Sequence, residues 1–228
     1  METSPNNEVQ FDPRLQGPFT MLIAGPTSCG KSHLVFNIIE NAETLITPST
    51  ASITYCYSQW QPGFEKIKNK VTFHEGLMSR EELFDTKKDT TQHRLLIIDD
   101  LMDPEYAPLV RDLFIRGSHH LNISVVFITQ NLFMPNKDYR TLSLNAHYLI
   151  VFKNPRDMSQ IRHLGQQAFP AHRGFLTMVY NNETQVKHSY IVLDCKQGTP
   201  NDLRVRGSVT TPGNTLVFIP NNNKKHRK

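Results

Sequence analysis

The chain has 228 residues, a net charge of +4 and three widely separated cysteines, Cys29, Cys56 and Cys195. That length suits one domain with a substantial core, while the lack of a CxxC pair or dense cysteine set excludes a disulfide framework and a zinc site and points to a reducing compartment. Residues 1–16 lack the apolar segment of a signal peptide, and no apolar run approaches the ~18 residues needed to cross a bilayer, so an intracellular, non-secreted protein with no membrane partner is expected.

Residues 1–16 are polar and read as a flexible segment ahead of a domain over 17–220, with its core at 19–170 and a β-rich extension at 171–220. Residues 19–24 form a short apolar, strand-like run, and 31–41 carry a helical pattern. Between them residues 25–32 read GPTSCGKS, the Walker A pattern of Gly, four residues, Gly, Lys and Ser/Thr. The pattern alone would arise in roughly one chain of this size in a hundred, but strand, loop and helix in succession are the context it requires. Gly25 and Gly30 let the backbone turn tightly, so that the N–H groups of Pro26's neighbours Thr27, Ser28 and Cys29 line an anion-binding hollow. Lys31 would reach the β- and γ-phosphates, Ser32 would meet Mg²⁺, and His33 opens the helix whose positive end adds to the site. The Cys29 thiol reads as incidental, because its backbone is what the loop uses.

Strands are expected next at 53–57, 94–99, 124–129 and 147–152, with a possible extra strand at 71–74 and helices at 79–85 and 105–116. The strand runs are nearly continuously apolar, the signature of a parallel sheet covered on both faces, hence an α/β three-layer sandwich. RLLIIDD at 94–100 is a buried strand delivering carboxylates at its C-terminal end. Asp99 would hold Mg²⁺ through water and Asp100 would orient and polarise the attacking water; Asp103 is the fallback base, or simply a cap before Pro104. In the helix at 105–116, Arg116 falls in the last turn before Gly117, read as a C-terminal stop. Two readings stand for it: pairing with the helix dipole, or an arginine finger inserted into a neighbouring subunit's site. His119 and His120 read as polar loop residues.

The strand at 124–129 ends in amides. Gln130, with Asn131 as runner-up, would sense the terminal phosphate and position water if this strand lies beside the Walker A strand. Lys137, Tyr139 and Arg140 form a candidate DNA-contacting loop. A helix is expected to open at Asn154, with Pro155 at its first position and Asp157 at its third. Residues 174–180 and 189–193 look like two strands joined by a polar turn, a C-terminal β-hairpin extending the sheet edge or forming a flap. KKHRK at 224–228 holds four of the 25 Lys and Arg, leaving 21 against 21 acids, so the remainder is neutral and residues 221–228 read as a basic, disordered tail.

Taken together, GPTSCGKS, YCYSQWQPGFE at 55–65, LLIIDDLM at 95–102, LFIRGSHHLNISVVFITQNLF at 113–133, SLNAHYLIVFKNPRD at 143–157 and HLGQQ at 163–167 resemble one family. It is the genome-packaging ATPases of Polinton/Maverick elements and adintoviruses, similar to the poxvirus-type packaging ATPases of the FtsK/HerA superfamily. The resemblance covers about 19–170. It implies a P-loop NTPase of the ASCE, RecA-like type, a homo-oligomeric ring, and ATP-driven movement of double-stranded DNA into a capsid. It also implies capsid or portal partners, a host-nuclear or virion location, Arg116 as the finger and Gln130 as the sensor. Adenine is the expected base by elimination, since no guanine-reading Asn-Lys-x-Asp occurs. Two rivals stand beside it: a small-molecule kinase using Arg140, Arg156 or Arg162 as a lid, and a non-hydrolysing ATP-binding structural protein.

Overall fold

The computed structural model describes residues 12–84, 90–209 and 215–220. The segment before residue 12, the helix end expected at Asp85 and the basic tail at 221–228 lie outside them. In chain order the strands are β1 (Leu15–Gln16), β2 (Thr20–Ala24), β3 (Ile46–Thr47), β4 (Ser52–Tyr57), β5 (Thr72–Glu75), β6 (Arg94–Asp99), β7 (Ile123–Thr129), β8 (Tyr148–Phe152), β9 (Tyr190–Asp194), β10 (Val205–Arg206) and β11 (Val217–Phe218). The helices are α1 (Lys31–Glu40), α2 (Ala42–Leu45), α3 (Arg80–Leu83), α4 (Ala107–Asp112), α5 (Ser118–His120), α6 (Lys137–Asn145), α7 (Ser159–Ala168) and α8 (Phe175–Glu183).

Among the described residues, nine strands form one sheet in the order β11-β10-β9-β8-β2-β7-β6-β4-β5. The stretch from β8 to β5 is parallel throughout, and β9, β10 and β11 are added antiparallel. Residues alternate between two buried layers. Leu22, Ile98, Phe127 and Leu149 face α4, α6, α7 and α8. Met21, Ile23, Ile97, Ile128 and Ile150 face α1 through Leu34, Val35, Ile38 and Ile39. With both faces covered, every residue of β2, β7 and β8 is buried, which is why these runs are continuously apolar.

The C-terminal extension carries α8 as well as β9 and the antiparallel β10–β11 pair, and it is built from other residues than expected. Residues 174–180 are not a strand: Phe175, Leu176, Val179 and Tyr180 are the buried stripe of α8, a spacing that suits a helix packed on a sheet. The second expected strand is present as β9. The helix expected at Asn154 opens at Ser159. Asn154 Oδ1 instead accepts the amide of Arg156, and Asp157 Oδ1 that of Ser159, closing two short turns first.

Gly117 does not stop the helix at 105–116. Its φ is −64°, and the chain runs from α4 through a π-helical turn, Leu113–Gly117, into α5. His120 therefore ends a helix rather than lying in a loop. Lys137, Tyr139 and Arg140 are likewise helical, in α6, capped by Asn136 Oδ1 on the amides of Asp138 and Tyr139. Tyr139 is buried, and its hydroxyl donates to the carbonyls of Leu101 and Asp103 at 3.0 and 2.8 Å. That removes it from any surface contacting DNA.

Candidate functional site

The phosphate-loop sequence leaves β2 at Gly25, whose amide donates to the Thr129 carbonyl of β7 at 3.3 Å. A Cβ here would lie 2.6 Å from Phe152 Cβ and 2.7 Å from Cys29 Sγ, so the position admits only glycine. Gly30 has φ 112° and precedes α1 directly, a conformation costly for a side chain. Pro26, Thr27, Ser28 and Cys29 form the bend between them, and Ser28 itself is left-handed at φ 62°. Lys31 heads α1, and its Nζ donates to the carbonyls of Gly25 and Pro26 at 2.6 and 2.9 Å. Ser32 and His33 occupy the next positions of α1. Burial pushes the Cys29 thiol up, against the opposing charge of Lys31, which leaves it a poor nucleophile.

His188, in the turn between α8 and β9, backs this loop. Its Nδ1 donates to the Cys29 carbonyl at 3.0 Å, and its side chain lies 3.2 Å from where a Cβ on Gly30 would sit. No local pattern in the sequence marks it, because the contact spans 159 positions.

β7 separates β2 from β6. Ala24 is level with Thr129, and Ile128 with Asp99, so the phosphate-loop sequence and Asp99 share the C-terminal end of the sheet one strand apart. Asp99 is buried, and Tyr55 Oη donates to its Oδ2 at 2.7 Å. Burial pushes the Asp99 carboxyl above its ordinary range; the Tyr55 hydrogen bond and the positive charge of Lys31 oppose that, and Asp100 adds to it. Asp100 is exposed and left-handed at φ 53°. Its Oδ2 accepts from Gln130 Nε2 at 3.3 Å. Asp103 instead accepts the amide of Glu105, the turn-capping role that competed with a base role for it.

Asn131, the runner-up to Gln130, engages α7, its Oδ1 accepting from Gln160 Nε2 at 3.3 Å, and both Gln130 and Asn131 line the cleft beside the loop. Pro26, Thr27, Gln130, Asn154 and Arg156 line a cleft of about 470 Å³ beside the phosphate loop. A larger cleft of about 750 Å³ continues past Asn131 to Arg140 and His163. Arg162 faces a separate depression between α7 and α8. Trp60 packs its ring against Tyr57, Phe64 and Phe73 at 5.8, 5.3 and 5.1 Å, covering the β4–β5 edge of the sheet.

Arg116 lies near the end of the helical connection that returns from the C-terminal end of β6 to the start of β7. It therefore sits toward the sheet end opposite Gly25 and Asp99. It is 64% exposed and pairs with Asp112 at 3.3 Å. Burial pushes the Asp112 carboxyl up, but Arg80, Arg111 and Arg116 around it hold it below the usual carboxylate range.

A Walker A loop after one strand, an acidic strand end one strand away and helices on both faces define the P-loop ATPase fold of RecA-like type. No protein-family model and no curated protein matches the chain. Among solved structures it is similar to the cytoplasmic domain of the type VII secretion ATPase EccC from Thermomonospora curvata, at TM-score 0.53 and 10% identity, over 88% of this chain and 25% of that one. The chain thus spans about a quarter of the length of that structure. Matches at lower TM-scores are the KaiC-like protein PH0186 from Pyrococcus horikoshii (0.44, 14% identity, 89% of this chain and 90% of that one) and the flagellar accessory protein FlaH from Methanocaldococcus jannaschii (0.40, 14% identity, 63% and 76%). Among the described residues no helix is long and apolar enough to cross a membrane.

The donor chemistry fits Mg²⁺. Ser32 and Asp99 offer hard oxygens, and among the described residues no three His, Cys, Asp or Glu side chains gather into a metal cage. Mg²⁺ bound through one carboxylate, water and substrate phosphates needs no such cage.

Proposed function

We propose that this chain is an ATPase that moves double-stranded DNA, packaging a viral or virus-like genome into a capsid. The observation that carries the ATPase reading is the placement of the GPTSCGKS loop and Asp99 at one end of the sheet with β7 between them. Backbone N–H groups of the loop from Thr27 to His33 would take the phosphates. Lys31 would exchange the Gly25 and Pro26 carbonyls for β- and γ-phosphate oxygens. Ser32, and Asp99 through water, would hold Mg²⁺, which would supply neutralising charge to the phosphates. Asp100 would accept the proton of the attacking water, and Gln130, already bonded to Asp100, would hold that water in line.

Arg116 sits toward the sheet end opposite its own chain's site, so its role as a finger requires an oligomer, with the ring that the resemblance implies as the form. DNA as the moved substrate, capsid or portal partners and a virion or host-nuclear setting rest on the resemblance carried by 19–170. The neutral charge of residues 1–223 suits a motor that must slide on DNA rather than adhere to it. A second reading, phosphoryl transfer to a small acceptor, is favoured by Arg156 lining the cleft that opens beside the phosphate loop.

One experiment separates the readings: ATP hydrolysis with and without duplex DNA, run alongside a mass measurement of the assembly. DNA-stimulated turnover by an oligomer, abolished in Lys31→Ala and Asp99→Ala, supports the translocase. Transfer to a soluble acceptor by a monomer supports the kinase. Binding without turnover leaves a structural ATP-binding protein.

A further inference from the structure

Tyr55 is fully buried in the middle of β4, paired in register with Ile97 of β6. Side chains two apart on a strand share a face, so Tyr55 and Asp99 meet across the two strands, and the phenol donates to Asp99 Oδ2 at 2.7 Å. The ring sits in an aromatic cluster, 5.0 Å from Phe64, 5.8 Å from Phe73 and 6.4 Å from Phe36 of α1. A phenylalanine would fill the same space in that cluster. The hydroxyl is thus the part that packing does not require, and a buried hydroxyl is costly unless bonded. Its bond goes to the one carboxylate that the proposed site assigns to a metal ion.

We propose that Tyr55 is a positioning residue that fixes one oxygen of the Asp99 carboxylate, so that the other is presented, through water, to the metal ion in a set direction. The inference rests on the reading of Asp99 as the metal-holding carboxylate. Carboxylate ligands are themselves held by hydrogen bonds, and removing such a partner costs about 10- to 100-fold in metal affinity or activity. The contact with Phe36 links the same ring to the phosphate-loop helix, so the carboxylate is referenced to the element that carries Lys31 and Ser32.

The test is a Mn²⁺ titration of the full chain saturated with a non-hydrolysable ATP analogue, with free Mn²⁺ followed by electron paramagnetic resonance. Analogue affinity in EDTA is measured in parallel. Tyr55→Phe is expected to weaken Mn²⁺ binding by about 10- to 100-fold while the EDTA affinity stays at the wild-type value. In an Asp99→Asn background the same substitution should have no further effect. Unchanged Mn²⁺ binding in Tyr55→Phe overturns the proposal, as does an equal loss with and without metal, which would mark a general packing role. Wild-type protein that binds the analogue but gains nothing from Mn²⁺ overturns the metal assignment of Asp99 itself, and this inference with it. Should Tyr55→Phe not fold, 3-fluorotyrosine at position 55 keeps the hydroxyl and reports by ¹⁹F resonance. A shift when Mg²⁺ joins the analogue complex supports the proposal, and an unmoved line overturns it.

Discussion

Gln130 donates its side-chain amide to Asp100 Oδ2 across 3.3 Å, joining the residues that immediately follow β7 and β6. Asp100 is held there by its backbone as well, its amide bonded to the Ile128 carbonyl at 3.2 Å. A water-activating pair needs such fixed geometry. Asp100→Asn should therefore lower kcat by about 10²–10⁴-fold, the usual weight of a general base, with nucleotide affinity unchanged. Gln130→Ala should act in the same direction by a smaller factor. Steady-state kinetics beside equilibrium binding of a nucleotide analogue checks both, and an equal fall in affinity would contradict the assignment.

Arg116 offers a sharper division. Its guanidinium is 64% exposed, and the buried Asp112 it meets keeps Arg80 and Arg111 as partners without it, so the pair contributes about 0–1 kcal/mol. Arg116→Ala should leave the melting temperature nearly unchanged. As a finger acting across subunits, the same substitution should cost about 10³–10⁵ in turnover of the assembled protein. Mixing Arg116→Ala with Lys31→Ala subunits should restore part of the activity, because the intact phosphate loop of an Arg116→Ala subunit then meets the Arg116 of a Lys31→Ala neighbour. Full turnover by an Arg116→Ala monomer would remove the trans role.

The opposite end of the sheet carries a pH-dependent contact. His93 is buried, with Nε2 2.7 Å from Ser124 Oγ and Nδ1 3.1 Å from the Pro48 carbonyl. Burial lowers its pKa, against the backbone hydrogen bonds of Pro48 and Ser49, which raise it. The folded state thus binds the proton less readily than the unfolded chain. Its stabilising contribution is fully present above the ordinary histidine pKa of ~6.5 and is lost as pH falls through the lower folded value. Thermal melts from pH 8 to pH 5 should show this decline, and His93→Gln should flatten it.

Asp194 of β9 and Arg206 of β10 form a buried ion pair, with Arg206 also donating to the Pro13 carbonyl at 3.0 Å. Asp194→Ala would remove the carboxylate from a buried guanidinium and should cost about 3–5 kcal/mol. The double replacement Asp194→Leu with Arg206→Met should recover most of that loss, since apolar pairs of similar volume are tolerated at such sites. Urea unfolding of the two variants against wild type measures both.

The parallel strands were legible because burial on both faces leaves continuous apolar runs such as TMLIA at Thr20–Ala24. The phosphate loop was legible because its glycines, lysine and serine are contiguous. That Asp99 and Gln130 stand at strand ends was legible because each closes an apolar run. What could not be read depends on which strand lies beside which: the Tyr55 contact needs β4 next to β6, and the His188 contact needs a turn far along the chain to fold onto the loop. α8 was misread because Phe, Thr, Val and Tyr within 175–180 favour strands locally, whereas its buried positions follow a helical spacing. The helix at Ser159 was placed too early because Asn154 and Pro155 make a good helix start in isolation, and here they close a turn.

The backing of the phosphate loop also sets an order in time. A growing chain has synthesised the whole nucleotide-gripping motif by Ser32, yet the Thr129 carbonyl that holds the Gly25 amide and the imidazole that bonds Cys29 are made much later. On the proposed function, a product truncated before His188 should bind nucleotide more weakly than the whole chain, although it carries the intact motif.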